Sequence, residues 1–554
     1  MKQTTTNIAS ALPEMAARQP DTMAIAWPDG RGGFSQRSFR ELDEDSSRLA
    51  AALTAYGIGR GMRTVVMVPP SLDLFALTFG LFKAGIVPVM VDPGMGLKSL
   101  KACLAEAEPE AFIGIAKAHA ARVMLGWSRD TIRLRVTAGA RLFWGGTTLA
   151  KLRSESARLS AADMEPVETR PDDVAAILFT SGSTGVPKGA VYTHGNFLAQ
   201  VERLKDTYGI EPGEVDLPTF PLFALFDPAL GMSAVIPEMD PTRPANVDPV
   251  KILDAIQKFG VTNTFGSPAL LHRVGSYGAA KGVKLPTLRR VISAGAPAQP
   301  TILERFATML PEGTEIHTPY GATEALPVSS IGSRTILAET GPQTALGRGV
   351  CVGVPVRRMQ VRVIKIDDGP IETWSDDLVV PDGEVGEFAV KGPLVTRSYY
   401  GRDEATALAK IMDPTDPAEE SGFWHRMGDV GYLDGQGRLW FCGRKAHRVQ
   451  LEQETLYTIQ CEGVFNAHED VYRTALVGVQ QGGSTLPVLC VELHKDRTVD
   501  RPKIQTELRA RAAANELTGR IDTFLFHNDF PVDIRHNAKI FREKLAAWAT
   551  TQLP

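Results

Sequence analysis

Cysteine is scarce: Cys103, Cys351, Cys442, Cys461 and Cys490 are scattered through 554 residues without a CxxC pair or a metal-ligand rhythm. That spacing speaks against a disulfide framework and suits a reducing, cytoplasmic interior. An excess of one charge is missing too. Lys and Arg number 60 against 64 Asp and Glu, for a net charge of -4, so no broad basic surface argues for nucleic acid. The richest apolar stretch, 72–91, is interrupted by Asp73, Lys83 and Pro88. Two ions are costly in hydrocarbon, so this stretch predicts a helix packed on a sheet followed by a buried strand, with no transmembrane segment. The start, MKQTTTNIASALPE, has a lysine but no uninterrupted apolar core behind it, and so lacks the parts of a secretory signal. Internal repeats and low-complexity tracts are also missing.

What is present is enough apolar content, 44%, to bury a large core over a length that divides into several lobes. Strand-like runs alternate with amphipathic helical ones. KILDAIQKF, 251–259, places Ile252, Ala255, Ile256 and Phe259 on one face, and VTNTF, 261–265, follows as a strand. Such alternation predicts an α/β fold with helix-covered parallel sheets. From about residue 347 short β-rich pieces punctuated by Gly and Pro predict a small β lobe, and near FCGRKAHRVQ the texture changes to α+β. The expected organisation is a large domain over 1–442, with the β-rich lobe at about 347–442, a hinge at 443–450 and a smaller mobile domain over 451–554.

The most concentrated signal is FTSGSTGVPKGAVYTHGN, 179–196, directly after the apolar run AAILF. This predicts a buried strand ending where Thr180 begins a loop. Gly182, Gly185 and Gly189 let amides converge on an anion, Thr180, Ser181, Ser183 and Thr184 add hydroxyls, and Lys188 adds a charge. The reading is a phosphate cradle, although Pro187 before and Gly189 after the lysine depart from GxxxxGK[ST].

That loop, with SAGAP at 293–297, YGATE at 320–324, GD at 428–429, GR at 443–444 and the lysine of NAKIFREKL at 537–545, resembles the AMP-forming adenylate enzymes, the group of acyl-CoA synthetases, luciferases and nonribosomal adenylation domains. The motifs stand in the expected order across most of the chain. The resemblance implies ATP and Mg2+ as cofactors. Thr180, Ser181, Gly182, Ser183, Thr184, Gly185 and Lys188 are then the phosphate loop, and Gly295, Ala296 and Pro297 pass beside adenine and the acyl group. Tyr320 stacks on adenine within Tyr320, Gly321, Ala322 and Thr323, Asp429 accepts from the ribose hydroxyls, and Arg444 completes the nucleotide set. Thr184 and Glu324 fall at the metal, and Lys539 reaches the α-phosphate and the attacking carboxylate. In isolation, YGATE equally suits a core tyrosine and a surface acid, and Lys539 equally suits a basic helix face shared with Arg542 and Lys544.

Departures from the common pattern narrow the resemblance. Ala224 stands in PLFALFDPALG where the group often has histidine, His447 falls at the hinge position, and the late loop keeps only the lysine of its usual Ser-Gly-Lys. These, with 223–245 and 456–471, resemble the olefin-biosynthesis branch of the group. The implied reaction is adenylation of a long-chain 2-alkyl-3-hydroxyacid, after which the C3 hydroxyl closes a β-lactone without coenzyme A. The implied partners are that β-hydroxyacid, the pathway reductase and a β-lactone decarboxylase, in an assembly near the inner membrane. His447 is able to act as a general base, but also suits a conformational contact of the hinge. The stretch 220–236 suits an alkyl tunnel or a buried core. Alternatives with the same motifs are a long-chain acyl-CoA ligase, a nonribosomal adenylation domain with Asp227 as anchoring acid, and a non-catalytic adenylate-binding protein.

Overall fold

The computed structural model describes residues 6–156, 166–180, 187–415, 422–495, 497, 499–532 and 539–553. Within 72–91 the helix Leu72–Lys83 and the strand Val87–Val91 form as expected. Ser71 caps the helix by accepting a hydrogen bond from the Leu74 amide. The two interrupting ions are each paired: Asp73 lies 2.7 Å from Arg153, and the buried Lys83 lies 2.5 Å from Asp43 and donates to the hydroxyls of Ser46 and Ser47. Burial lowers the lysine's pKa while Asp43 opposes the shift.

Seven strands build the first sheet, in the order Thr147–Thr148, Leu134–Ala138, Ala111–Ile115, Arg63–Met67, Val87–Val91, Val174–Thr180 and Lys188–Thr193. All neighbours are parallel except the last pair. Thr180 does not begin the loop, as the apolar run suggested, but pairs with Lys188 inside the sheet. The strands that flank the phosphate loop in sequence are therefore antiparallel neighbours.

Among the described residues the second sheet has fourteen strands. Its parallel half includes Val215–Pro218, Asn263–Gly266 and Arg290–Ser293, fed by helices such as Pro249–Phe259, whose Ile252, Ala255 and Ile256 are buried. Its antiparallel half begins with the hairpin Glu315–Ala322 and Ala325–Gly332 and continues through Val350–Pro355, Phe423–Leu433 and Leu439–Arg444. The β-rich texture from about 347 is thus the far side of a continuous sheet. After Arg444 the chain makes a short turn, Lys445–His447, and enters a three-stranded sheet of Val471–Gln481, Ser484–Leu493 and Thr523–Phe526.

Candidate active site

One cavity of about 2070 Å³ runs along the carboxyl edge of the seven-stranded sheet, past the hairpin 315–332 and up to the three-stranded sheet. Lys188, Gly295, Ala296, Pro297, Tyr320, Gly321, Ala322, Thr323, Glu324, Asp429, Arg444 and Lys539 all lie on its wall. The structure therefore brings together residues spread over 352 positions of chain. Ser181, Gly182, Ser183, Thr184 and Gly185 lie outside the described residues.

Strand register assembles one end. Asp429 and Arg444 are cross-strand partners, which sets Arg444 Nη1 2.7 Å from Asp429 Oδ1. The Tyr320 hydroxyl donates to Asp429 Oδ2 at 2.6 Å, and its ring meets Phe388 and Phe441 at centroid distances of 6.0 and 6.3 Å. Burial raises Asp429 above the usual carboxylate range although Arg444 pulls it down, and burial with the nearby carboxylate keeps Tyr320 protonated. Asp429 Oδ1 is buried with the Arg444 guanidinium as its partner and Oδ2 with the Tyr320 hydroxyl, a fixed carboxylate suited to accept from a ribose hydroxyl. Beside it, Gly295 follows the strand Arg290–Ser293 with φ +97°, a conformation that favours glycine.

Glu324 sits in the two-residue turn of the hairpin, between the paired Ala322 and Ala325. The Tyr399 hydroxyl donates to Glu324 Oε1 at 2.6 Å, and Lys188 Nζ lies 4.9 Å from the centre of the same ring. Tyr399 thus links the carboxylate to the lysine. Burial and Glu324 raise its pKa and keep the phenol a donor. The segment carrying it is stitched to the lysine strand through Val191 N–H to Ser398 O and Tyr400 N–H to Gly189 O. Gly189 has a role other than freeing amides: a Cβ there would come within 2.7 Å of Phe179 Cζ. Behind Glu324, the buried Lys410 is pushed down to about 7 by desolvation and donates to Thr396 O, and burial lowers His425 well below the usual imidazole range.

Lys539 immediately precedes the bridge Val532–Ile540, and the helix starts later, at Arg542–Gln552. It therefore does not share a helical basic face with its neighbours. Arg542 is buried against Glu462 at 2.9 Å, and Lys544 covers the Phe541 ring. His447 is not on the described cavity wall. Burial, with Arg542 and Arg444 nearby, pushes it down to about 4, so it is neutral at pH 7 and a weak proton acceptor. The segment around it is tied to the β lobe: Lys445 lies 3.0 Å from Glu387 and donates to Asp367 O, and Arg448 lies 2.5 Å from Asp368.

The rest of the wall is apolar. Phe220, Phe223, Phe226 and Phe265 line the cavity, with ring contacts of 5.3 Å for Phe220–Phe223 and 4.3 Å for Phe223–Phe265. Ala224, Ala229, Leu230 and Met232 of the same stretch are core residues, so 220–236 both lines the cavity and packs in the core. Asp227 points inward to Asp216, which accepts from Asn263 at 2.5 Å. Burial raises both carboxyls, and the neighbouring Asp216 raises Asp227 further, so the pair holds a proton.

Sequence reading did not find Tyr399, Lys410 or His425. Their stretches, RSYYGRDE, ALAKIM and GFWHRM, carry no loop signature, and only the fold brings them beside Glu324.

A profile of the AMP-binding enzyme family matches residues 12–400. An olefin beta-lactone synthetase of Stenotrophomonas maltophilia is 53% identical, covering 99% of this chain and 98% of its own, and one of Xanthomonas campestris is 52% identical with the same coverage. A long-chain-fatty-acid–CoA ligase of Escherichia coli is 26% identical over 92% of this chain and 89% of its own. Among solved structures, an amide bond synthetase from Marinactinospora thermotolerans superposes with TM-score 0.77 at 22% identity, covering 98% of this chain and 99% of its own. A Mycobacterium tuberculosis fatty acyl CoA synthetase gives 0.72 at 22% identity, covering 99% of both.

Proposed function

The chain belongs to the AMP-binding enzyme family, and from that premise we propose that it adenylates a long-chain 2-alkyl-3-hydroxyacid and closes it to a β-lactone, releasing AMP and pyrophosphate. The convergence of Lys188, Tyr320, Glu324, Asp429, Arg444 and Lys539 on one cavity carries this reading, supported by the two relatives above 50% identity.

Enzymes of this family use ATP, generally with Mg2+. Tyr320 supplies a flat face for adenine, and Asp429, fixed by Arg444, accepts from the ribose. Lys188 and Lys539 offset the repulsion between the acyl carboxylate and the triphosphate as a carboxylate oxygen attacks the α-phosphorus and pyrophosphate leaves. Mg2+, when bound, would neutralise phosphate charge, and Glu324 and Thr184 are the residues that would hold it. Tyr399 holds the Glu324 carboxylate in place by donating to Oε1.

In the second step the C3 hydroxyl oxygen attacks the acyl carbon, the bond to AMP breaks, and the hydroxyl proton passes to the departing AMP phosphate. The tethered nucleophile supplies proximity, and the apolar wall excludes water that would hydrolyse the adenylate. The ties from Lys445 and Arg448 to the β lobe suit a chemistry that needs no domain rotation to admit an external thiol. The substrate requires a preceding reduction to its 3-hydroxyl, and the strained product a following decarboxylation, so a reductase and a β-lactone decarboxylase are the partners we assign. Among the described residues no helix is long and apolar enough to cross a membrane; contact with the inner membrane would be peripheral.

The test is to incubate the protein with ATP, Mg2+ and a synthetic 2-alkyl-3-hydroxyacid without coenzyme A and to identify the product by NMR. A β-lactone with one AMP per turnover is expected. Consumption only after coenzyme A is added, giving a thioester, would overturn the proposal.

A further inference from the structure

We infer that the cavity holds its acid in two separate apolar arms, one on each face of the seven-stranded sheet, and that each arm takes one of the two alkyl chains. The inference rests on the substrate class proposed above and deepens it.

Neighbouring residues of a strand point to opposite faces. Val66 and Leu178 pack with Leu74, Phe197, Phe226 and Phe265 in one apolar cluster, whereas Met67 and Phe179 pack with Val91, Leu100, Ala118 and Trp127 in another. All twelve also line the cavity. The cavity must therefore pass over the carboxyl ends of the strands Arg63–Met67 and Val174–Thr180 and descend on both sides. Lys188 is paired with Thr180 at that edge, so the phosphate chemistry lies where the two arms meet.

The second arm, walled by Val91, Leu100, Ala118 and Trp127, has Asp92, Lys117 and Arg402 as its charged neighbours. Arg402 is held by Glu106 at 2.7 Å. Such a lining suits a hydrocarbon chain and not an exit path for pyrophosphate. The volume of about 2070 Å³ exceeds the roughly 300–1,000 Å³ of ordinary ligand sites, leaving room for two chains beside a nucleotide. Substrate chemistry supplies the need. In a 2-alkyl-3-hydroxyacid the chains leave adjacent carbons, and separating them on either side of an edge keeps the C3 hydroxyl and the carboxyl together between them.

Three acids test this: long on both branches, shortened to methyl at C2, and shortened to methyl beyond C3. Ala118→Phe fills the second arm and Phe223→Trp crowds the first. Adenylation, read as ATP–pyrophosphate exchange, reports chain preference whichever product follows, so failure of the arms is separable from failure of lactone formation. We expect Ala118→Phe to lower the long-to-short ratio of kcat/KM at least about tenfold for one branch, and Phe223→Trp to do so for the other. Leu100→Ala, which widens the second arm, should shift the same branch preference as Ala118→Phe in the opposite direction, and it serves should that variant not fold. If both arms alter preference for the same branch, or neither alters any, the two-arm arrangement is overturned.

Discussion

On the polar wall of the cavity each group is held by a specific partner: Tyr320 by Asp429, Asp429 by Arg444, Glu324 by Tyr399. On the apolar wall Phe220, Phe223, Phe226 and Phe265 are held by ring contacts with each other and with neighbours such as Phe197. A hydrogen bond names its partner and its angle, so a change on the first wall removes a defined function. A ring contact is satisfied by many shapes, and a change on the second wall adjusts a preference.

The comparison breaks most readily at Lys539, the polar-wall lysine assigned to the α-phosphate and the attacking carboxylate. Lys539→Ala should lower adenylation about 100- to 1,000-fold in pyrophosphate exchange while leaving the unfolding midpoint in place; a loss of less than about threefold would remove the lysine from the reaction. Asp429→Asn comes next. It exchanges a charged acceptor for a neutral one, and kcat/KM for ATP should fall about 10- to 100-fold with little change in KM for the acid. Equal losses for both would mean that this wall is not a nucleotide wall.

Tyr399→Phe sharpens the distinction between holding a group and contacting substrate. With Glu324 Oε1 released, the Mg2+ concentration for half-maximal rate should rise about threefold to tenfold, and saturating Mg2+ should restore most of kcat. A loss that excess Mg2+ does not restore would point to a packing defect instead.

The smallest effect belongs to an ionisable pair packed behind the apolar wall. Asp216 and Asp227 have folded-state pKa values above the unfolded one, so their protonated pairing favours the fold at low pH, and this contribution is lost as pH rises from the ordinary carboxylate range through the raised native value. Asp227→Asn, neutral throughout, should flatten that decline in thermal midpoints measured between about pH 5 and 8. A decline of unchanged slope would show that the pair does not govern it.

The same contrast explains what was legible in the sequence. Motifs such as YGATE and SAGAP stood out only through their resemblance, in order along the chain, to those of a known family, whereas the α/β alternation stood out through its periodicity. Tyr399 did not, because its partners Glu324 and Lys188 lie 75 and 211 positions away and meet it only through strand pairing. Nor did the second arm, because whether apolar residues such as Leu100 and Trp127 face a void or a neighbour depends on how strand ends are covered. The placement of Thr180 was misjudged for a related reason, since its pairing with Lys188 is a property of two strands.

The five cysteines are all buried, and burial raises every one of their thiols, leaving little of the thiolate that reacts with maleimide. A cysteine introduced at an exposed position on the β lobe and another on the C-terminal helix can therefore carry a fluorophore pair in an otherwise native background. The distance between those dyes, followed through one turnover, would turn the ties at Lys445 and Arg448 into an observable rigidity.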